Sequence, residues 1–353
     1  MNSISFILPC RNEKESLRTV IKDIKKTCDK AGVDDYEIIV SDSSWDGSDK
    51  IAKDEGVVLI KHDTEGYGFA IREGANHATK DIVIFADPDG TYDFTEFPKL
   101  TKLLENNDIV FGNRLKGAIE KGAMPLTHRF IGTPIINTFL KLLFGIGITD
   151  SQSGFRALKT KTFHNLNLAT NGMEFASEMI IQASKQNLSM TEIPISYRQR
   201  GGDSKLRPYR DGFAHIKYII LKTHFYLYAI LGGIITLLGL ISIIFGDNFE
   251  GFLNSATMQI IFPILGIQII FLGLFSKTYL YTKFNQENKF LNKFYSIFQL
   301  KHAFILGLLL LGVPLIMKIL GFGDIYFELL LVSVITGIQV IFNSIYLSQL
   351  SIE

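Results

Sequence analysis

The chain has 353 residues, with 36 Lys and Arg against 35 Asp and Glu, so its formal net charge is +1 at pH 7. This balance gives no electrostatic basis for binding nucleic acid, and the length allows more than one domain. The two cysteines, Cys10 and Cys28, suit a reducing compartment in which no disulfide is expected. No cleavable signal peptide is expected, because no basic segment followed by a long apolar one stands at the N-terminus.

Strands and helices alternate before Lys222. The predicted strands are residues 4–8, 36–40, 57–60, 82–85 and 109–111, and the predicted helices between them are residues 14–26, 49–55, 69–78 and 97–104. This alternation predicts an α/β domain with a mostly parallel, doubly wound, Rossmann-like sheet. The segments around Pro9, Asp42, Asp87 and Gly112 then lie at one edge of that sheet.

Two acidic residues directly follow the apolar segment 82–85. Asp87 and Asp89 are one residue apart, and Pro88 and Gly90 do not continue a strand. Ligands of an open α/β sheet bind beyond the carboxyl ends of its strands, so these carboxylates predict a divalent-metal site. An ordinary Asp-rich turn is the alternative that the residues alone leave open.

Beyond Lys222 the chain becomes strongly apolar. Residues 225–245, 251–276 and 329–350 contain no charge, and each stretch is long enough to cross a bilayer as a helix. Residues 303–317 are shorter, but a snorkelling Lys318 would extend that run to Phe322. The sequence therefore predicts a catalytic domain, residues 1–222, and an all-α transmembrane domain, residues 223–353. Its four spans are expected near residues 225–245, 257–276, 303–322 and 329–348.

The charges between these spans predict an orientation. The second connection carries Lys277, Lys283, Lys289, Lys293 and Lys301 against one acid, Glu287. The other two connections carry acids and no Lys or Arg. Because positive loops remain in the cytoplasm, both termini and the polar domain are predicted to be cytoplasmic.

Six segments, in chain order, resemble those of a known family: ILPCRNEKESL, IIVSDSSWDGS, ADPDGTYD, IVFGNR, DSQSGFRA and RGGDSKL. They are similar to family 2 glycosyltransferases with the GT-A fold, and within these to the dolichol-phosphate mannose and glucose synthase group. The resemblance runs from Ser3 to about Lys222. It implies an inverting transfer of a hexose from a GDP-mannose or UDP-glucose type of donor to the phosphate of dolichol or another polyprenol, at the cytoplasmic membrane face.

The resemblance also implies which residues form the donor site. Mg²⁺ or Mn²⁺ would be the cofactor, held by Asp87 and Asp89. The nucleotide-sugar pocket would include those two acids together with Pro9, Arg11, Glu13, Asp42 and Glu174. Purely structural roles are the alternatives: a helix first turn for Glu13, an Asx turn for Asp42 and a solvated helix face for Glu174.

Two positions depart from the family pattern. Ser41 stands where the family usually has the first of two acids after its second strand, which puts recognition of the base or ribose in doubt. Thr91 stands where mannose synthases often have Gln, which puts the metal shell and the choice of mannose in doubt.

The acceptor side requires cations, because a lipid phosphate carries about −1.5 to −2 charge near neutral pH. The resemblance assigns this role to Arg114, Arg129, Arg200, Ser204 and Lys205. The four basic residues and Asp89 are the predicted catalytic set. A surface charge is the alternative for any single arginine.

Residues 134–146 predict an amphipathic helix with a broad apolar face. Beside an apolar tail, such a helix suits the membrane interface, as do residues 211–222 with their basic side chains. A helix packed on the core of the sheet domain would show the same stripe, and both interpretations stay open.

Two other functions fit parts of the sequence. A processive polysaccharide synthase shares the fold and often has membrane helices, but its Gln-x-x-Arg-Trp motif is absent because the single tryptophan is Trp45. A non-catalytic membrane module that binds nucleotide sugar or a lipid carrier is the other. The paired acids and the basic set argue against it.

Overall fold

The computed structural model describes residues 3–202, 208–245, 251, 255, 257–284, 300–320 and 327–352. The chain divides into two compact units, Met1–Ile219 and Ile220–Glu353. We call them the sheet unit and the helical unit. The boundary lies close to the point where the sequence changes from mixed to apolar composition.

Seven strands of the described residues form one sheet in the sheet unit. They are β1 (Ile4–Cys10), β2 (Tyr36–Asp42), β3 (Val58–Lys61), β4 (Ile82–Phe85), β5 (Ile109–Asn113), β6 (Arg156–Lys159) and β7 (Met190–Pro194), in the order β3-β2-β1-β4-β6-β5-β7. β6 is antiparallel to both of its neighbours, and the other pairs are parallel. The predicted mostly parallel α/β sheet is therefore confirmed; β6 and β7 had no counterpart among the predicted strands.

Eight helices of the described residues connect or follow these strands. They are α1 (Leu17–Ala31), α2 (Ser48–Asp54), α3 (Tyr67–Asn76), α4 (Phe97–Leu103), α5 (Thr133–Phe144), α6 (Thr160–Asn165), α7 (Phe175–Lys185) and α8 (Pro208–Lys222). The central strand β1 is buried on both faces of the sheet, and its side chains alternate between those faces. Phe6 and Leu8 join one apolar cluster, and Ile7 joins the other. Two cores, one on each side of the sheet, hold the ends of β1, β2 and β4 in fixed positions.

Helix α5 belongs to the core rather than to an unpartnered surface. Ile136 and Leu140 are buried in the second apolar cluster, and Phe139 packs against it. The core interpretation of residues 134–146 thus accounts for most of their apolar face. Ile135 and Leu142 remain exposed on this helix.

The helical unit contains α9 (Phe225–Phe245), α10 (Phe262–Phe284), α11 (Leu300–Ile319) and α12 (Phe327–Ile352). Three helical stretches are long and apolar enough to cross a membrane: Phe225–Phe245, Thr257–Thr282 and Phe327–Leu350. These coincide with three predicted spans. The apolar run in α11, Leu300–Ile316, is shorter, so the fourth span stays a prediction.

Glycines bring the backbones of these helices together in pairs. A Cβ added to Gly266 of α10 would lie 2.4 Å from the carbonyl oxygen of Gly232 in α9. A Cβ on Gly307 of α11 would lie 2.9 Å from the carbonyl oxygen of Gly337 in α12. Small residues permit such close approach, and the resulting van der Waals contact stabilises apolar helices in the absence of charge.

Candidate active site

Gly90 and Thr91 determine the geometry of the acidic turn after β4. Gly90 has a positive φ of 81°, a conformation that a residue without Cβ adopts without strain. Asp89 is only 3% exposed, and its Oδ1 accepts hydrogen bonds from the backbone N of Thr91 at 3.0 Å and from the Thr91 hydroxyl at 2.6 Å. Thr91, which stands where mannose synthases often have Gln, therefore orients the carboxylate of Asp89.

Arg200 joins this turn to the end of β1. Its Nη1 lies 3.0 Å from Oδ2 of Asp89, and its Nη2 donates to Oε1 of Glu13 at 2.5 Å. The backbone N of Gly201 also donates to the carbonyl oxygen of Asp89 at 3.0 Å. Three predicted site residues, far apart in sequence, are thereby brought into direct contact.

The other acid of the turn, Asp87, faces the DSQSGFRA segment. A Cβ on Gly154 would lie 2.9 Å from Oδ2 of Asp87, 3.0 Å from the hydroxyl of Tyr67 and 3.2 Å from that of Tyr92. The backbone N of Gly154 donates to the Tyr92 hydroxyl at 2.7 Å. The carboxylate thus occupies space that only a glycine leaves open. Burial, and then the negative charge of Asp89, raises the pKa of Asp87 to about 7.

The donor set fits a hard cation that is shared with a ligand. Asp87 and Asp89 supply carboxylate oxygens, and the described residues contain no group of three or more His, Cys, Asp or Glu that would form a complete metal cage. Mg²⁺ typically takes one or two carboxylates and completes its shell with water and substrate phosphates. Ser153, which directly precedes Gly154, has a buried hydroxyl without a hydrogen-bond partner among the described residues.

The end of β2 lies beside that of β1. Pro9 is in register with Ser41, and Cys10 with Asp42. Asp42 is fully buried, with Oδ2 2.6 Å from Nζ of Lys61 and Oδ1 accepting from the backbone N of Ser44. The sequence prediction missed Lys61. Its position at the end of β3, on the same edge as Asp42, was the available signal.

The loops after β1 and β2 are tied together at this edge. Arg11 forms an ion pair with Glu65, and its guanidinium lies 5.3 Å from the centre of the Trp45 ring. Asn12 accepts from the backbone N of Trp45 at 3.0 Å. The predicted nucleotide residues Pro9, Arg11, Glu13 and Asp42 therefore share one edge of the sheet with Asp87 and Asp89.

Arg114, after β5, is paired with a residue that the sequence prediction missed. Its Nε and Nη2 donate to the two oxygens of Asp150 at 2.9 and 2.8 Å, and its backbone N donates to the same carboxylate. Burial alone would raise the pKa of Asp150, but the charge of Arg114 outweighs it and holds the pKa low. Nη1 of Arg114 makes no hydrogen bond with the described residues and stays available to a ligand.

Arg129 lies in a π-helical turn, His128–Gly132, before α5. Its guanidinium lies 5.2 Å from the centre of the Phe130 ring, which is 64% exposed. Burial, and then the charge of Arg114, lowers the pKa of His128, so this turn is within electrostatic reach of Arg114. No hydrogen bond or ion pair joins Arg129 to Asp89 or Arg200 among the described residues.

Of the remaining predicted residues, the structure describes only Glu174. Glu174 is partly exposed at the start of α7, where Gly172 donates to it at 3.4 Å. The neighbouring acid Glu178 is buried and accepts from Ala169 and Thr170, which is a structural role. Ser204 and Lys205 lie outside the described residues.

A second buried arginine holds the DSQSGFRA segment. Arg156 of β6 donates to the carbonyl oxygens of Ser151, Ser153 and Ala176 at 2.9 to 3.1 Å. Burial lowers its pKa to about 10. Through these carbonyl contacts the arginine holds the backbone just before Gly154 and joins it to α7; it was not predicted as a site residue.

Comparison with known proteins identifies the family. Residues 5–166 match the model of glycosyl transferase family 2. Glycosyltransferase AglJ of Haloferax volcanii is 31% identical over 60% of this chain and 69% of its own length. Low-salt glycan biosynthesis hexosyltransferase Agl6 of the same organism is 32% identical over 69% of this chain; the aligned region spans 59% of Agl6. The dolichyl-phosphate hexose transferase of Haloferax volcanii is 28% identical over 62% of this chain and 93% of its own length. The chain belongs to glycosyl transferase family 2, and the recognition made from the six segments is confirmed.

Proposed function

We propose that this member of glycosyl transferase family 2 transfers a hexose from a nucleotide diphosphate sugar to the phosphate of dolichol or another polyprenol. The observation that carries the proposal is the contact of Glu13, Asp89 and Arg200 at the carboxyl edge of the sheet, beside Asp87. The similarity to a dolichyl-phosphate hexose transferase supports the acceptor class.

In the proposed reaction, an oxygen of the lipid phosphate forms a bond to the anomeric carbon of the sugar. The bond from that carbon to the donor diphosphate breaks, and the nucleoside diphosphate leaves with the electron pair. Attack from the face opposite the leaving group inverts the anomeric configuration. No side chain has to remove a proton, because the acceptor phosphate is already ionised near neutral pH.

The acids at the turn would hold the cation that faces the leaving group. Mg²⁺ or Mn²⁺ on Asp87 and Asp89 would offset the negative charge that develops on the diphosphate. Thr91 keeps the carboxylate of Asp89 in one orientation, and Gly154 leaves room for that of Asp87. Such fixed charges stabilise a transition state without reorganising during the reaction.

The cations receive the acceptor. Nη1 of Arg114 is directed by the pairing of its other nitrogens with Asp150, and Arg200 lies beside the acids. Arg129, with Ser204 and Lys205, is proposed to bind the lipid phosphate together with them. Arginine suits this task because its planar guanidinium can contact two phosphate oxygens at once.

An assay with purified protein tests this function. The full chain in detergent is mixed with a short polyprenyl phosphate and a panel of radiolabelled nucleotide sugars, with Mg²⁺ or Mn²⁺. We expect label to enter the lipid fraction from one GDP- or UDP-sugar and to stop entering it when a chelator is added. Absence of transfer from every donor with both metals would contradict the proposal.

The donor is cytoplasmic in this proposal, so the sheet unit must face the cytoplasm. Leu300, at the start of α11, and Phe327, at the start of α12, are 43% and 67% exposed, and both native cysteines are buried. In intact cells, Phe327→Cys should react with a membrane-impermeant thiol reagent, and Leu300→Cys should be protected. The reverse pattern would contradict the orientation.

A further inference from the structure

Trp45 is a large aromatic side chain in an unusual position. It is 72% exposed and stands on the loop after β2, three residues beyond the buried Asp42. The guanidinium of Arg11 covers one face of the indole, with 5.3 Å between the guanidinium carbon and the ring centre. A ring inserted between them would need two van der Waals layers of about 3.5 Å each, so the open side of the indole is the one that can accept a ligand.

Hydrogen bonds in the loop hold the backbone of Trp45 in a fixed place. The backbone N of Trp45 donates to Oδ1 of Asn12 at 3.0 Å, and the backbone N of Asn12 donates to Oγ of Ser44 at 2.7 Å. Lys61 donates to the carbonyl oxygen of Ser44 and so ties the same loop to the end of β3. Because its backbone is already ordered, Trp45 has only its own side-chain torsions left to order when a flat ligand stacks on the ring.

The position of the ring fits one end of a nucleotide. β1 lies between β2 and β4, and neighbouring strands are about 4.8 Å apart, so the ends of β2 and β4 are separated by about 10 Å. The acids that would face the diphosphate follow β4, and Trp45 follows β2. In a nucleoside diphosphate, the base and the diphosphate stand at opposite ends of the ribose in the same way.

We propose that the open face of Trp45, backed by Arg11, is the stacking platform for the nucleobase of the donor. This inference rests on the proposed function and adds to it the residue that recognises the base. Stacking uses the π-face that every base has, so Trp45 supplies affinity, and hydrogen bonding at the end of β2 supplies the choice between bases.

The single tryptophan makes the test direct, because fluorescence excited where tyrosine does not absorb comes from Trp45 alone. UDP, GDP and ADP are titrated into the full chain in detergent with Mg²⁺, with calorimetry in parallel. Inorganic pyrophosphate is titrated as a ligand without a base. The variants are Trp45→Ala, Trp45→Phe and, as a matched control, Phe130→Ala, which removes an exposed ring from a similar pair with Arg129 at 5.2 Å.

We expect the preferred nucleoside diphosphate to quench the wild-type fluorescence, and Trp45→Ala to weaken its binding about 5- to 100-fold, the loss typical of one base–aromatic stack. Trp45→Phe should lose less, and neither variant should change the affinity for pyrophosphate. Phe130→Ala should bind the nucleotide as the wild type does. If the wild type binds a nucleotide and Trp45→Ala binds it equally well, the platform is wrong and the proposed function stands. If the wild type binds none of the three nucleotides, the proposed function is wrong, and the platform with it.

Discussion

The two units of the chain are held together by different kinds of contact. The sheet unit pairs buried acids with basic residues from other parts of the chain, as in Asp150 with the largely buried Arg114 and Asp42 with the more exposed Lys61. The helical unit brings helix backbones together through glycines, as at Gly232 and Gly266. A buried ion pair is sensitive to the loss of either charge, whereas a glycine contact is sensitive to added volume. The units should therefore fail under different substitutions.

The largest effect is expected where charge serves chemistry. Asp89→Asn keeps the shape of the side chain and an acceptor for Thr91, but it removes the charge that would hold a cation. We expect the rate of sugar transfer to fall by about a hundred- to a thousandfold, as for removal of one principal electrostatic group in other enzymes. Glu13 still pairs with Arg200, so the circular dichroism spectrum should not change. More than about a tenth of wild-type activity at saturating metal would contradict the metal assignment.

Charge that is paired inside the fold should also change stability. Asp150→Asn leaves the buried guanidinium of Arg114 without an opposite charge, at a cost of about 3–5 kcal/mol. This loss should lower the thermal midpoint of the full chain in detergent by roughly 10 °C. Lys99→Met, which removes an exposed ion pair with Glu96, is the control and should change it by about 2 °C or less. Equal shifts in the two variants would refute the stabilising role of the buried pair.

The sheet unit should also respond to acid through one histidine. His215 is buried, with its Nδ1 2.8 Å from the hydroxyl of Ser177, and burial, then the charge of Arg156, lowers its pKa from 6.5 to about 4. Below pH 6.5 the unfolded chain binds a proton that the folded chain excludes, so stability falls as the pH decreases towards 4. The difference of about 2.5 pKa units corresponds to about 3 kcal/mol at pH 4. His215→Asn should show a shallower loss in unfolding experiments over this pH range; an unchanged slope would disprove the assignment.

The smallest effect tests the helical unit. In Gly266→Ala the new methyl group would lie 2.4 Å from the carbonyl oxygen of Gly232 and 2.3 Å from the Thr236 hydroxyl, so α9 and α10 must separate. We expect a loss of about 1–3 kcal/mol, measured by thermal unfolding in detergent. Gly233→Ala, where an added Cβ has no neighbour within 4 Å, should leave stability unchanged or slightly raise it. A similar response of both variants would show that close helix approach is unimportant.

The acidic edge of the sheet could be predicted because its signals are local. β4 was predicted with the bounds that the structure has, since four consecutive apolar residues end at a turn with two acids, one Pro and one Gly. β6 was missed because Arg156 makes its short segment look polar. That arginine is buried through three carbonyl contacts that no local pattern reveals.

The pairing of charges could not be predicted from spacing. Arg114 and Asp150 are 36 residues apart, and Glu13 and Arg200 are 187 apart, so only the fold brings them together. The sequence identified both Glu13 and Arg200 as functional candidates, but only Arg114 of the other pair. Asp150 remained unassigned although it begins a quoted segment, because a carboxylate in a loop gives no sign of which cation it will meet.

The bridge that Arg200 forms between Glu13 and Asp89 should allow the chain to fold before it binds a metal ion. An acidic centre that contains its own counter-ion does not require a divalent metal in order to be buried, unlike sites whose folding free energy comes from the ion. Folding of the chain and loading of the proposed metal would then be separate events. We expect the newly made chain to fold at low metal concentration. A chelator should inactivate it reversibly rather than unfold it.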